Sequence, residues 1–418
     1  METVRLDRDV HQTTGPNGVT VLSERVASVR SVAVGIWVRS ASVHEPRPKM
    51  GVSHLLEHMV FKGTERRTAH EIALALETRG GSLDAYTSRD TTAYQARVLD
   101  ADLPVALDVL TDLVRHPVLR DSDLQLERNV ILEEINTVED TPDDLVFDLV
   151  AEALWPEHPY GYSILGTRDT VGALSTGDLR ELHTQAYIPG NCVIAASGNV
   201  EHARLLELVA AQGWFEASNG QGRAPQLDPV SPAVRGKELR RAKDTAQTHI
   251  VFSTDGVPFA DSRKYALMVL ANVFGGGMSS RLFQRIREEL GLAYAIYAYS
   301  NFFGKVGLLG VYVGTQPKTA TLAAEAIREE YAKLAREGLS ADALAQAKQQ
   351  TQGQITLTLE SPTARMYRLA GLAVHGERYR SIDETLSEIA ALTPAHAAEV
   401  AAEFFAPERQ TVVWLGPN

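Results

Sequence analysis

Short runs of β-branched and apolar residues alternate along the chain with longer stretches of helical periodicity, without a strict strand–helix–strand rhythm. Asn17-Gly18 is a turn signal ahead of Val19-Thr20-Val21-Leu22, and Ser31 to Val38 is short and valine-rich, so both runs read as strands. Gly51 to Lys62 is compact and apolar with histidine and glutamate inserted. Ala69 to Arg79 carries apolar residues at helical spacing and stops at Gly80-Gly81. The pattern predicts strands over 82–87 and 92–99, then helices over about 102–116, 122–138 and 143–154. Cys192 to Ala196 reads as a buried strand. Such a mixture predicts an α+β fold in which helices pack on antiparallel-rich sheets.

Between Glu216 and Arg235 the composition shifts to Ser, Asn, Gly and Gln with Pro225, Pro229 and Pro232, which is the composition of a linker. A chain of 418 residues suits two domains better than one core. We therefore expect domains over 1–215 and 237–418 with a linker over 216–236. The second half repeats the first: a shift of 211 residues places Gly80 on Gly291 and Tyr86 on Tyr297. Arg287 to Tyr312, followed by the helical Lys318 to Arg336, mirrors Thr78 to Leu99 followed by Asp102 to Arg115. Repetition at this length indicates two homologous domains, because solenoid units are far shorter.

The formal charge of −12 argues against nucleic acid as a partner, since binding phosphates needs a basic face. It permits a chamber that attracts basic peptides. The single cysteine, Cys192, excludes an intrachain disulfide and reads as a small core residue. No window approaches a membrane span. The segment from Met1 to Thr14 lacks the apolar run of a signal peptide and carries Glu2, Asp7 and Asp9, so the expected compartment is the cytoplasm.

The candidate chemistry lies in Ser53-His54-Leu55-Leu56-Glu57-His58-Met59. On a helix, His54 and His58 sit one turn apart on one face, so both imidazoles can reach one ion. Glu57 shares that face and can serve as a general base without ligating, while Leu55 and Leu56 fall on the opposite side. A solvated helix is the bland alternative, but the flanking Leu, Met, Val and Phe61 make the segment too apolar for it. Buried histidine and glutamate without partners would be costly. A catalytic zinc needs a third protein ligand. The helical run Glu127 to Ile135 offers Glu127 and Glu134, seven apart on one face, and Glu133, which points about 100° away. Spacing favours Glu134 over Glu133 only modestly.

These residues carry a resemblance. His54-Leu55-Leu56-Glu57-His58, followed by Glu127-Arg128-x-Val130-Ile131-x-x-Glu134-Ile135, resembles the H-x-x-E-H inverted zincins. The chain is similar to family M16, subfamily B, the group of the bacterial and mitochondrial processing peptidases, over nearly its whole length. The similarity includes Gly80 to Ser88, His158-Pro159-Tyr160-Gly161, Ile164 to Thr167, Asn191 to Gly198, Phe274 to Phe283 and Arg287-x-x-x-Gly291-Leu292-Ala293-Tyr294. The resemblance implies a zinc metalloendopeptidase with Zn2+ on His54, His58 and Glu134, Glu57 as base, and Glu127 supporting the site from behind. It also implies that the strand Asp84-Ala85-Tyr86-Thr87 pairs with an extended peptide substrate. Two positions depart from the family: Asp84 stands where asparagine is usual, and the arginine common near Tyr162 is missing. An ionised Asp84 accepts hydrogen bonds but donates none, so it cannot donate to a substrate backbone as the usual asparagine does.

Around Tyr265 to Ala271, the counterpart of the H-x-x-E-H segment, the second half has neither His nor Glu. Gly275-Gly276-Gly277 is followed by no Lys-Ser/Thr and reads as a turn rather than a phosphate loop. By resemblance, Arg287 and Tyr294 reach the active site from the second half, where a hydroxyl and a guanidinium can stabilise an oxyanion and fix a carbonyl. Some relatives in respiratory complexes keep the fold as structural subunits without the site; the complete metal set here favours the enzyme. The family encloses its chamber with four such domains, which implies a homodimer of this chain, or a heterodimer with a related subunit, acting on peptides.

Overall fold

The computed structural model describes residues 1–216, 227 and 229–417, so residues 217–226 and 228 of the expected linker lie outside the described residues. The chain forms two compact units. The first comprises Met1–Ile135, Ser163–Asp228 and Thr358–Tyr379; the second comprises Asn136–Tyr162, Pro229–Leu357 and Arg380–Asn418. This division cuts across the expected boundaries, because a segment from each half of the chain completes the unit built mainly from the other half. Among the described residues no helix is long and apolar enough to cross a membrane.

In the first unit, strands β1 (Glu2–Arg5), β2 (Val10–Thr14), β3 (Thr20–Arg25), β4 (Ser31–Val38), β5 (Ser82–Thr87), β6 (Thr92–Leu99) and β7 (Cys192–Gly198) make one sheet. Their order is β1-β2-β3-β7-β4-β6-β5. All pairs are antiparallel except β3 with β7. The continuous apolar run of β4 follows from burial on both faces. Val32, Val34, Ile36 and Val38 enter the main core with helices α1 (Val52–Val60), α3 (Leu103–Arg115) and α4 (Asp121–Asp140), while α2 (Ala69–Glu77) contributes Leu76. Ala33 and Trp37 face the other way, against Met366, Leu369 and Ala370 of the helix Pro362–Val374. Cys192 is fully buried in the main core.

The second unit has the order β10-β11-β9-β12-β8, from β8 (Glu238–Ala242), β9 (Thr248–Gly256), β10 (Ala293–Phe302), β11 (Gly307–Thr315) and β12 (Thr411–Gly416). Only β8 with β12 is parallel. Val412 and Trp414 face the core of the second unit, with Ile250, Phe252 and Leu270, whereas Val413 and Leu415 pack on Val146, Val150 and Ala153 of α5 (Pro142–Leu154). The repeat is visible in backbone geometry: Gly80 and Gly291 both take positive φ, +71° and +60°, where a helical segment turns into a strand. Gly275 ends a helix and Gly276 and Gly277 form the turn that follows, as expected.

The outer face of the first sheet depends on a helix contributed from late in the chain. Leu369→Ala is expected to destabilise the protein by about 2–5 kcal/mol through a cavity beside β4 and β7. Urea denaturation followed by fluorescence checks this; a midpoint within error of the parent would contradict the packing described.

Candidate metal centre

Helix α1 begins after Gly51, whose φ of +91° lies in the left-handed region. A Cβ there would come within 2.6 Å of the Leu165 carbonyl oxygen, so glycine lets the 163–166 segment lie against the helix start. The residue at the helix start supplies no side-chain cap. The buried Glu45 carboxylate takes that place, accepting from the Gly51 and Ser53 N–H groups at 2.7 Å each. Burial pushes the Glu45 carboxyl up to about 7, against the two backbone bonds that favour its charged form.

Leu55 and Leu56 are fully buried on the core side of α1, and His54 and Glu57 are buried as well. Helix α4 brings its acids to the same place. The Nε2 atoms of His54 and His58 lie 3.6 Å and 3.8 Å from one Glu134 carboxylate oxygen. The two imidazole centroids are 4.6 Å apart. One ligand atom from each of the three residues lies within 4.8 Å of the others, the only such group of three among the described residues. Glu133, the alternative left open by spacing, is exposed one residue away, whereas Glu134 is half-buried.

Glu127, two turns before Glu134, is buried and stands behind His58. A carboxylate oxygen of Glu127 lies 3.1 Å from His58 Nδ1, so that nitrogen donates and the lone pair of the ring falls on Nε2. The Lys62 ammonium holds the other Glu127 oxygen at 2.5 Å. Burial, and then the neighbouring His58, push His54 down to about 3, so its imidazole is neutral in the physiological range. Two ring nitrogens and a carboxylate thus converge at distances too long for hydrogen bonds among them. That donor set fits a zinc ion with three protein ligands and an open position. The imidazole tied to a carboxylate is the usual support for such a ligand.

Beside this group, the Thr87 hydroxyl donates to a Glu57 carboxylate oxygen at 2.6 Å. Burial raises the Glu57 carboxyl above its ordinary range, and the Thr87 bond opposes the shift. Thr87, expected to meet substrate, is therefore also a support of the glutamate. Tyr86 points to the opposite face of the sheet, where its hydroxyl accepts from Trp37 Nε1 at 3.1 Å and its ring lies 6.1 Å from that of Tyr367. Asp84 and Ala85 precede it on β5, the last strand of its sheet. Arg287 and Tyr294 meet one another within the second unit. The guanidinium donates to the Tyr294 carbonyl at 2.7 Å and stacks 4.6 Å from the ring centroid, leaving Tyr294 78% exposed.

The sequence argument did not find Glu45, Lys62 or the Thr87–Glu57 bond. Glu45 and Thr87 lie on separate segments that only the fold joins to α1. Lys62 carries a faint signal, a cation just past the end of a helix that holds two histidines.

Two family descriptions match the chain: the insulinase family, peptidase family M16, over residues 20–168, and the peptidase M16 inactive domain over residues 173–351. An uncharacterised zinc protease of Streptomyces coelicolor is 37% identical over 98% of this chain and 90% of its own length. One from Bacillus subtilis is 37% identical over 93% of this chain and 94% of its own. Among solved structures, a protease from Helicobacter pylori superposes with a TM-score of 0.90 at 21% identity, covering 98% of this chain and 99% of that one. A peptidase M16 inactive domain from Pseudomonas fluorescens gives 0.89 at 20% identity, covering 98% of each, and these two likenesses bear on the fold alone. With relatives this similar along almost their whole length, the chain belongs to peptidase family M16.

Proposed function

We propose that this chain is a zinc-dependent endopeptidase in which His54, His58 and Glu134 hold the metal and Glu57 is the general base. The observation that carries the proposal is the convergence of two Nε2 atoms on the Glu134 carboxylate, with Glu57 held beside them by Thr87. The names of the relatives, zinc proteases, support the same metal and the same class of reaction. When bound, zinc supplies Lewis acidity to the scissile carbonyl and to the attacking water. Glu57 takes the proton of that water and returns it to the leaving amine. Its burial, which raises the affinity of the carboxylate for a proton, suits both halves of that transfer. Glu127 holds His58 in the tautomer that offers Nε2, and Lys62 holds Glu127.

The substrate is an extended peptide lying along β5, where backbone bonds give affinity with little sequence preference. The half-domain over 1–215 carries the chemistry, and the half-domain over 237–418 supplies Arg287 and Tyr294 to substrate. The active form is a homodimer, because one chain provides only two of the four domains of a closed chamber and carries both residue sets. A two-fold pair is also the commonest oligomer. A single, fully buried cysteine suits a cytoplasmic setting.

Purified protein should contain about one zinc per chain by elemental analysis, and chelation should stop peptide cleavage until zinc is restored. Glu57→Gln should retain the metal and lose about 10²- to 10⁴-fold in rate, the usual worth of a general base; near-normal turnover would remove Glu57 from the mechanism. Glu134→Gln should lower zinc occupancy and Glu133→Gln should not, since only Glu134 joins the converging group. The reverse result would shift the helix face by one residue. Mixing a Glu57→Gln chain with an Arg287→Ala, Tyr294→Ala chain should restore activity if sites are shared between copies. A wild-type chain that stays monomeric while cleaving at full rate would rule the homodimer out.

A further inference from the structure

Strand β5 ends its sheet, so one side of its backbone pairs with β6 and the other has no strand partner among the described residues. The hairpin between them fixes which groups face outward. Ser88 N–H donates to the Thr91 carbonyl at 2.8 Å, closing the turn. Bonded and non-bonded pairs alternate along an antiparallel ladder. The register Thr87↔Thr92, Tyr86↔Ala93, Ala85↔Tyr94 therefore makes Ala85 and Tyr94 a non-bonded pair. The Ala85 N–H and C=O point off the free edge, as do those of Leu83 and Thr87.

The outward Ala85 N–H is not open to solvent. It donates to the carboxylate of the preceding residue, Asp84, at 2.9 Å. Asp84 is itself exposed, on the face of β5 that also carries Tyr86. A bond to a carboxylate is stronger than one to a neutral peptide carbonyl. Any peptide adding to this edge must replace the first with the second.

We propose that Asp84 is a built-in competitor for substrate at the edge of β5: its carboxylate occupies the donor that an incoming strand must take, and so sets KM. The proposal rests on the reading of β5 as the substrate strand. Asp84 in this role does not hold the peptide; it swings clear when a peptide carbonyl reaches Ala85. The same bond guards the free edge against pairing with other unfolded chains, a task that edge strands commonly give to charged side chains.

The test separates a competitor from a holder of substrate, because the two move KM in opposite directions. Asp84→Ala should lower KM for an unstructured peptide about three- to tenfold with kcat unchanged, the worth of one exposed hydrogen bond. Asp84→Asn, which keeps an acceptor but not the charge, should fall between it and the parent, and serves if the alanine variant folds poorly. A KM that rises or stays constant in both overturns the proposal. Binding of a fluorescent peptide to the Glu57→Gln chain, with and without Asp84→Ala, reads the same effect without turnover. If the parent cleaves nothing, the hydrolytic reading fails, and this binding arm still decides the question. Tighter binding on loss of Asp84 supports the competitor; weaker binding, or none in either chain, overturns it.

Discussion

Burying a helix that carries two imidazoles and a carboxylate is costly unless each polar group finds a partner, and the first unit is organised around meeting that demand for α1. Its apolar side, Leu55, Leu56 and Met59, supplies the burial. Its start is satisfied from a distance by Glu45, and its close contact with the 163–166 segment needs a glycine at position 51. Its polar side meets two elements that approach it separately: α4, whose Glu127 bonds His58 and whose Glu134 faces both imidazoles, and β5, whose Thr87 bonds Glu57. His54 Nδ1 stays buried without a hydrogen-bond partner among the described residues. Three electron-pair donors are left facing one another, an arrangement that a cation completes.

Thr87 gives β5 two tasks at once. The hydroxyl steadies Glu57, while the backbone of the same strand forms the free edge of the sheet. A displacement of β5 by a peptide would thus be felt by the base. The strand is braced from the other face, where Trp37 and Tyr367 hold Tyr86. Tyr367 belongs to the helix Pro362–Val374, so residues from late in the chain stiffen a strand near the metal group, and the unit cannot be assembled from the first half of the sequence alone.

The two sheets share a plan, β5-β6-β4-β7-β3 in the first matching β10-β11-β9-β12-β8 in the second, and differ in what their helices carry. Both are buried on two faces by helices, and both turn into their outermost hairpin through a glycine of positive φ. The counterpart of α1 in the second unit, the helix Lys264–Gly275, is more uniformly apolar: Tyr265, Met268 and Val269 stand 211 residues after His54, Glu57 and His58, where a metal helix would need polar groups. Once the ligands are absent, hydrophobic packing is the cheaper use of a buried helix.

Local spacing made His54, Glu57 and His58 legible, since i and i+4 share a helix face whatever surrounds them. The valine-rich run of β4 and the helix stop at Gly80-Gly81 ahead of β5 marked the sheet in the same way. Periodicity could not choose firmly between Glu133 and Glu134, because a helix shows which residues share a face but not which face meets another helix. The tertiary structure brings Glu134 to the imidazoles and leaves Glu133 outside. Nor could the sequence place Glu45 or couple Thr87 to Glu57, whose partners lie eight and thirty residues away. It could not divide the chain into compact units either. The linker composition marked a boundary in chain order, while α5 and the helix Pro362–Val374 each complete the unit built mainly from the other half. Local pattern determines which side of an element is apolar; only the packing of whole sheets decides which element covers it.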